Sequence, residues 1–425
     1  MKSFRALIII FAMSLCFCAG GMVYASSFNE EAAERAYTIG ICTDTKNDYS
    51  AYEISGFKDA IINKVDNEDI IFAEQDSNNS LSASAAVETL IQARSRLIFT
   101  IGDASLEAAA NLTSDIPVIF SDVIDYRNVL HLLPDTGSIT GRNVSGISGI
   151  NSAERMLSLL IEACDHTPKA VGILYDPADT DSILQNELIE EYMNSAGICW
   201  REYEIRDDLT TEQAIANETE AAATPLTLPS INAAPSGKEG ANIHPDSLGE
   251  SGDLTGINEP MSARSMKIGS LWKNPTDISD MSWSEIVELA CRQCDVLYIC
   301  SGNVITDDPD IMNLIRQQTE ITKTITVGGD ADIGADTTVC LFQDPYALGY
   351  RCGVMAAAVI NGDDIEDMPI EACDPEYTTK LFNRTLSSKL GKAWPKSFVD
   401  RESFLADYSS EGLTEAAERI TENEK

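Results

Sequence analysis

The residues best placed to do chemistry stand at the ends of two apolar runs. Leu97–Ile101 stops at Gly102-Asp103, and Val118–Phe120, introduced by Pro117, stops at Ser121-Asp122. Thr100, Gly102, Asp103, Ala104, Ser121 and Asp122 thus bring hydroxyls, carboxylates and a glycine into two short stretches. Glycine lets backbone approach a ligand closely, and the free amides at a helix start can donate to it. This is equipment for holding the polar ends of a small molecule; an ordinary strand-to-helix turn is the plainer reading. Asp103 also has two readings: it caps the helix that begins there, or it pairs with a ligand amine.

Other reactive residue types give weaker signals. The only histidines are His131, His166 and His244, too few for a His-rich metal site. Cys291-Arg-Gln-Cys294 is the one CxxC, and it closes a helical pattern, whereas a redox pair normally opens one. It reads as a disulfide or two buried thiols. Gly146-Ile-Ser148-Gly149 fails as a nucleophile elbow, because the last glycine of G-x-S-x-G would fall on Ile150. No catalytic residue, metal or cofactor is expected, and the chain is not read as an enzyme.

The elements that position the strand ends follow a regular alternation. Leu97–Ile101, a helical Ala104–Leu112 and Val118–Phe120 read as a βαβ unit whose parallel strands are buried on both faces. Ligands of such sheets bind beyond the carboxyl ends of the strands. Strand patterns at Tyr37–Cys42 and Ile70–Glu74, with helices at Tyr49–Val65 and Ser82–Ala93, precede the unit. The alternation restarts with strand Ala170–Tyr175, helix Thr180–Ala196 and strand Cys199–Glu204, and resumes at Trp283. The expected class is α/β, with two doubly wound Rossmann-like lobes joined by a multi-strand hinge. Residues 37–148 and 340–362 are assigned to lobe 1, and 149–339 and 363–400 to lobe 2. Leu209–Asp280, rich in Ala, Thr, Ser, Pro, Gly and acids, reads as a disordered insertion in lobe 2. A helical segment over 401–425 ends the chain.

Met1–Ala25 has the form of a cleavable secretory signal: Lys2 and Arg5 precede the apolar Ala6–Phe17, and Val23-Tyr24-Ala25 suits cleavage. Its removal leaves nine of the eleven cysteines, an odd number, so at least one is free or pairs between molecules. A formal net charge of −38 makes the chain a poor partner for nucleic acid or anionic lipid. The expected location is periplasmic or extracellular.

Several stretches together resemble one family. Pro117–Asp125, Asn143–Ser148, Lys169–Pro177, Ser301–Ile305, the helix from Asp344 and Phe382–Pro395 are similar, in order, to blocks of the ABC-transporter substrate-binding proteins that include tryptophan- and phenylalanine-binding members. The resemblance covers roughly Tyr37–Asp207 and Trp283–Phe398. It implies a type I periplasmic-binding-protein fold, and a small-molecule ligand clamped between lobes and delivered to the membrane permease of an ABC importer. It implies a monomer and no bond-making. It places the cleft at Thr43 and Asp44, at Thr100–Ala104, at Ser121-Asp122, at Tyr175-Asp176, at Ser301 and Asn303, and at Asp330. The chain departs from the family's Gly-Thr at Gly102-Asp103 and from its Asp-Asn at Gly302-Asn303. A carboxylate at a helix start repels a ligand carboxylate, so the expected ligand is an amino acid or a modified, reversed or cationic relative. The alternative function is a ligand-sensing subunit that presents its solute to a membrane receptor or kinase.

Overall fold

The computed structural model describes residues 36–409, apart from 207–268, 270–275 and short stretches at 45–48, 67–68, 78–81, 134–135, 165, 279–280, 302–304, 306–307, 330–331 and 374–376. The expected signal and most of the expected insertion therefore lie outside the described residues. Two sheets, each with helices on both faces, form two α/β lobes.

The first sheet is all parallel, in the order β11-β5-β4-β3-β1-β2. Its strands are β1 (Tyr37–Thr43), β2 (Ile70–Asp76), β3 (Leu97–Ile101), β4 (Val118–Val123), β5 (Val144–Ser148) and β11 (Glu371–Ala372). All five residues of β3 are buried, as a strand covered on both faces requires. One face carries α1 (Ser50–Lys64), which lies against a helix from late in the chain, α9 (Pro345–Ile360). The other carries α2 (Ala83–Gln92) and α3 (Asp103–Leu112). The short α4 (Tyr126–Val129) leads from β4 toward β5.

The second sheet has the order β13-β12-β10-β9-β8-β6-β7. It comprises β6 (Val171–Tyr175), β7 (Trp200–Glu204), β8 (Val296–Ile299), β9 (Ile325–Gly328), β10 (Val339–Gln343), β12 (Thr378–Phe382) and β13 (Phe398–Asp400). Only the β10–β12 pair is antiparallel among these. On one face lie α5 (Ala153–Cys164) and α6 (Thr180–Ala196), and on the other α7 (Trp283–Gln293) and α8 (Pro309–Thr322). The helix α10 (Arg384–Leu390) joins β12 to β13, and residues 401–409 are helical.

Two features differ from the sequence reading. β10, expected in lobe 1, pairs with β9 and β12 and belongs to the second sheet, whereas β11, expected in lobe 2, pairs with β5 in the first. Linear order cannot settle such a choice, because hydrogen bonding selects the sheet. The end of the expected insertion also packs: Gly269 N donates to Trp200 O, Arg201 Nη2 donates to Thr276 O, and Ile278 is buried under α7. The helices α1 and α9 cross closely through glycines. A Cβ on Gly349 would lie 1.9 Å from Glu53 O, and one on Gly56 would lie 2.1 Å from Tyr346 O. Only glycine allows α1 and α9 to meet backbone to backbone.

The chain passes between the lobes three times, from β5 to α5, from β10 to α9 and from β11 to β12. Cys291 and Cys294, the CxxC pair, are buried thiols outside any disulfide. Burial pushes the Cys291 thiol up to about 12 and Cys294 higher still, so neither is poised for redox chemistry. Among the described residues no helix is long and apolar enough to cross a membrane, and no cluster of His, Cys, Asp and Glu could hold a metal ion.

Candidate functional site

The carboxyl ends of the two sheets face each other, and the helices α3 and α6 point their N-termini into the space between them. The start of α3 is built from two distant parts of the chain. Gly102 at its N-cap has φ 99° and ψ 167° and no side chain to cap with, a backbone conformation that suits glycine. Asp44, in the loop after β1, reaches across and accepts the Ser105 amide at 2.7 Å. Burial raises the Asp44 pKa, and hydrogen bonds from this helix start oppose the rise. Asp103 is left exposed, with no hydrogen bond or ion pair among the described residues. Its pKa is raised to about 6, first by burial of the carboxylate's surroundings and then by the charges of Asp44, Asp122, Asp125 and Asp179.

One strand along, β4 breaks its register between Phe120 and Val123. The cause is Asp122, whose φ of 56° puts it in the left-handed region. Bulges of this kind re-aim side chains at sheet ends and cost backbone strain. The carboxylate of Asp122 raises the pKa of both Asp103 and Glu53. Glu53, in the first turn of α1, is 3 % exposed and accepts a 2.5 Å hydrogen bond from Ser121 Oγ. Burial drives its pKa well up, and Ser121 pulls the other way.

The second lobe answers with more carboxylates. Asp179 caps α6 by accepting the Ser182 amide at 3.0 Å, and Asp181 follows in the first turn. Asp181 Oδ1 accepts the Asp125 amide of the first lobe at 3.0 Å, and Asn128 Nδ2 donates to Thr180 Oγ1 at 3.4 Å. The lobes therefore touch at this edge of the cleft. Burial, then Asp103 and Asp179, raise the Asp181 pKa to about 7. Like charges this close disfavour ionisation, so the cleft is an acidic space in which some carboxylates hold protons near neutrality.

The residues expected at the site separate into groups. Gly102, Asp103, Ala104, Asp44, Ser121 and Asp122 converge at the carboxyl edge of the first sheet, and Thr43 is half-buried beside them. Thr100 is buried, on the β3 face shared with Ile98, and its Oγ1 has no hydrogen-bond partner. In the second lobe Tyr175 turns into the core, where its hydroxyl donates to Glu204 at 3.0 Å. Asp176 is buried and accepts the Ala178 amide at 2.8 Å, shaping the turn into α6. Ser301 is half-buried at the end of β8, its amide donating to Gln185 Oε1 at 3.0 Å. Asn303 and Asp330 lie outside the described residues. Sequence reasoning missed Glu53, Asp125, Asp179 and Asp181. The run Pro177-Ala-Asp179-Thr-Asp181-Ser182 carried a helix-start signal for the last two.

Residues 39–236 match the family model described as ABC transporter substrate binding protein. The chain is similar there to the substrate-binding proteins of ABC transporters. Over 327 residues the chain is 24% identical to a curated relative from Clostridioides difficile (strain R20291) named tyrosine-binding protein, covering 76% of the chain and 70% of the relative. Among solved structures it is similar to the ligand-free, open form of a substrate binding protein with adhesive properties from Clostridium difficile. That match has a TM-score of 0.59 and 20% identity, over 86% of this chain and 99% of the other. A structure from Streptococcus pneumonia in complex with L-Trp matches with a TM-score of 0.52 and 15% identity, over 85% and 97% of the two chains. These likenesses show the two-lobed type I periplasmic-binding-protein fold. The family binds solutes and is not one of enzymes.

Proposed function

We propose that the protein is an exported solute-binding protein of an ABC importer. It captures an amine-bearing relative of an amino acid between its lobes and presents it to a membrane permease. Export rests on the expected signal at Met1–Ala25, which lies outside the described residues. The observation that carries the ligand class is the division of labour at α3. Asp44 occupies the helix-start amide that a ligand carboxylate would use, while Asp103 stands exposed and without a hydrogen bond opposite Asp179 and Asp181. A cationic amine placed among these carboxylates relieves their repulsion, whereas a ligand carboxylate at the same place adds to it. The relatives named for tyrosine and crystallised with L-Trp support an aromatic amino-acid skeleton.

The test is a thermal-shift panel of L-tyrosine, L-tryptophan, their amides, tyramine and 3-(4-hydroxyphenyl)propionate. A ligand at 100 times its Kd stabilises by ~2.7 kcal/mol. The amine-bearing compounds are expected to shift the melting temperature and the amine-free acid is not. Asp103→Ser is expected to weaken amine binding by about 2–3 kcal/mol, the cost of removing a charged partner. Equal shifts from the acid and the amines would overturn the ligand class and leave the fold untouched.

A further inference from the structure

The second lobe holds a chain of amide side chains, Gln185 and Asn151 buried and Gln343 half-buried, that the ligand reading does not use. Gln343, the last residue of β10 and the start of one crossing, donates through Nε2 to Gly149 O at 3.0 Å and to Asn151 Oδ1 at 3.1 Å, both in another crossing. Asn151, 8 % exposed, donates through Nδ2 to Gly329 O at 3.0 Å, at the end of β9. Gly329 in turn lies directly against Gln185: a Cβ on it would sit 2.1 Å from Gln185 Oε1. That same oxygen accepts the Ser301 amide at the end of β8. Two interlobe crossings are thus tied, through three side chains and one glycine, to the two strand ends of lobe 2 that border the cleft.

We propose that Asn151, with Gln185 and Gln343, is a positioning residue for ligand capture: it makes the β8 and β9 ends follow the hinge as the lobes close. Three features separate this arrangement from ordinary packing. The bonds run between segments far apart in sequence rather than within a helix or ladder. Each link is an amide that can re-pair when its neighbour moves, unlike a close-packed apolar contact. Asn151, Gln185 and Gly329 all line one small pocket, bounded in part by Ala153, Met156, Leu188 and Tyr298, so the links meet around a common space. The inference rests on the cleft between the lobes as the binding site, and not on which solute fills it.

The test needs no ligand. In the full-length protein, Asn151→Leu cuts the chain at its centre while touching neither Gln185 nor Ser301. Amide hydrogen exchange is read for the segment containing Ser301, with Trp200–Glu204 on the far edge of the same sheet as the internal reference. Losing a buried hydrogen bond of ordinary strength is expected to speed exchange around Ser301 by about tenfold relative to that reference. Asn151→Asp keeps the acceptor for Gln343 and loses the donor to Gly329, so it uncouples Ser301 to the same degree. Gln343→Leu reads the chain from the other crossing if Asn151→Leu does not fold. A uniform rise over both segments, or no change at Ser301 in variants that fold, would mean that these amides only stabilise the lobe. Failure of the amine panel would leave this measurement intact.

Discussion

Two helix starts face each other across the cleft, and they are made in opposite ways. At α6 the cap is local: Asp179 accepts the amide of Ser182, three residues on, in the pattern that Asp favours at an N-cap. At α3 the residue in the cap position is Gly102, which has no side chain, and the cap comes from Asp44, sixty-one residues earlier. The consequence falls on the neighbouring acids. Asp181 is engaged by the Asp125 amide of the opposite lobe, whereas Asp103 is left exposed in the cleft. A helix capped from its own sequence can spend its acids on lobe contacts; one capped from a distance keeps an acid exposed to a ligand.

The contrast can be broken at five residues. The largest effect is expected at Gly102→Val, because φ 99° with ψ 167° is a region open almost only to glycine; strain of this kind costs about 2–3 kcal/mol. Denaturant unfolding that shows no loss would mean that α3 starts differently from the geometry seen. Next, Asp44→Ala removes the distant cap and leaves the Ser105 amide, on a buried residue, without its partner, a loss of about 1–2 kcal/mol. The local cap is the control: Asp179→Ala should cost about 1 kcal/mol, less than Asp44→Ala. A reversed order in calorimetry would undo the distinction between the two helix starts.

The remaining effects concern charge. Asp103 and Asp181 have folded pKa values raised to about 6 and about 7, above the ~3.9 of an unfolded Asp. Between those limits the folded state binds more protons than the unfolded one, so these two groups lower stability as pH rises from about 4 to about 7. Thermal melts of the ligand-free protein should flatten over that interval in Asp103→Asn, and more so in Asp103→Asn with Asp181→Asn. A slope unchanged in the double variant would show that other groups carry it. Binding of an amine has the opposite sign: affinity for tyramine should rise from pH 5 to pH 8 as the carboxylates ionise. The smallest effect is stability near pH ~3, below both the folded and the unfolded pKa of Asp103, where Asp103→Asn should change it by less than about 0.5 kcal/mol, as for a surface substitution. A larger loss would point to a cap role for Asp103 after all.

Much of this site was legible along the chain. Apolar runs ending in Gly102-Asp103 and Ser121-Asp122 located the carboxyl edge of the first sheet, and the alternating pattern gave two α/β lobes. What the pattern could not supply was pairing. Whether Val339–Gln343 joins the first or second sheet depends on which backbone it meets, and it meets β9 and β12. The composition that marked Leu209–Asp280 as an insertion could not show that Ile278 packs into the second lobe at 3 % exposure, since one apolar residue leaves little trace in a polar stretch.

The sequence alone determined which residue types stand at each strand end, because strand, turn and helix preferences are local and the apolar period fixes where each strand stops. It also determined that acids crowd that edge. Only the tertiary structure decided what each acid does. Along the chain Asp103 reads first as a cap and second as a ligand partner; in the fold it is Asp44 that holds the amide of Ser105. Asp181 gained its role from a backbone amide in the other lobe. Asp122 gained its direction from a bulge in β4. The physical reason is common to all three: a carboxylate's role is set by the nearest donor or charge in space, and here those neighbours come from strands and helices that only folding brings together.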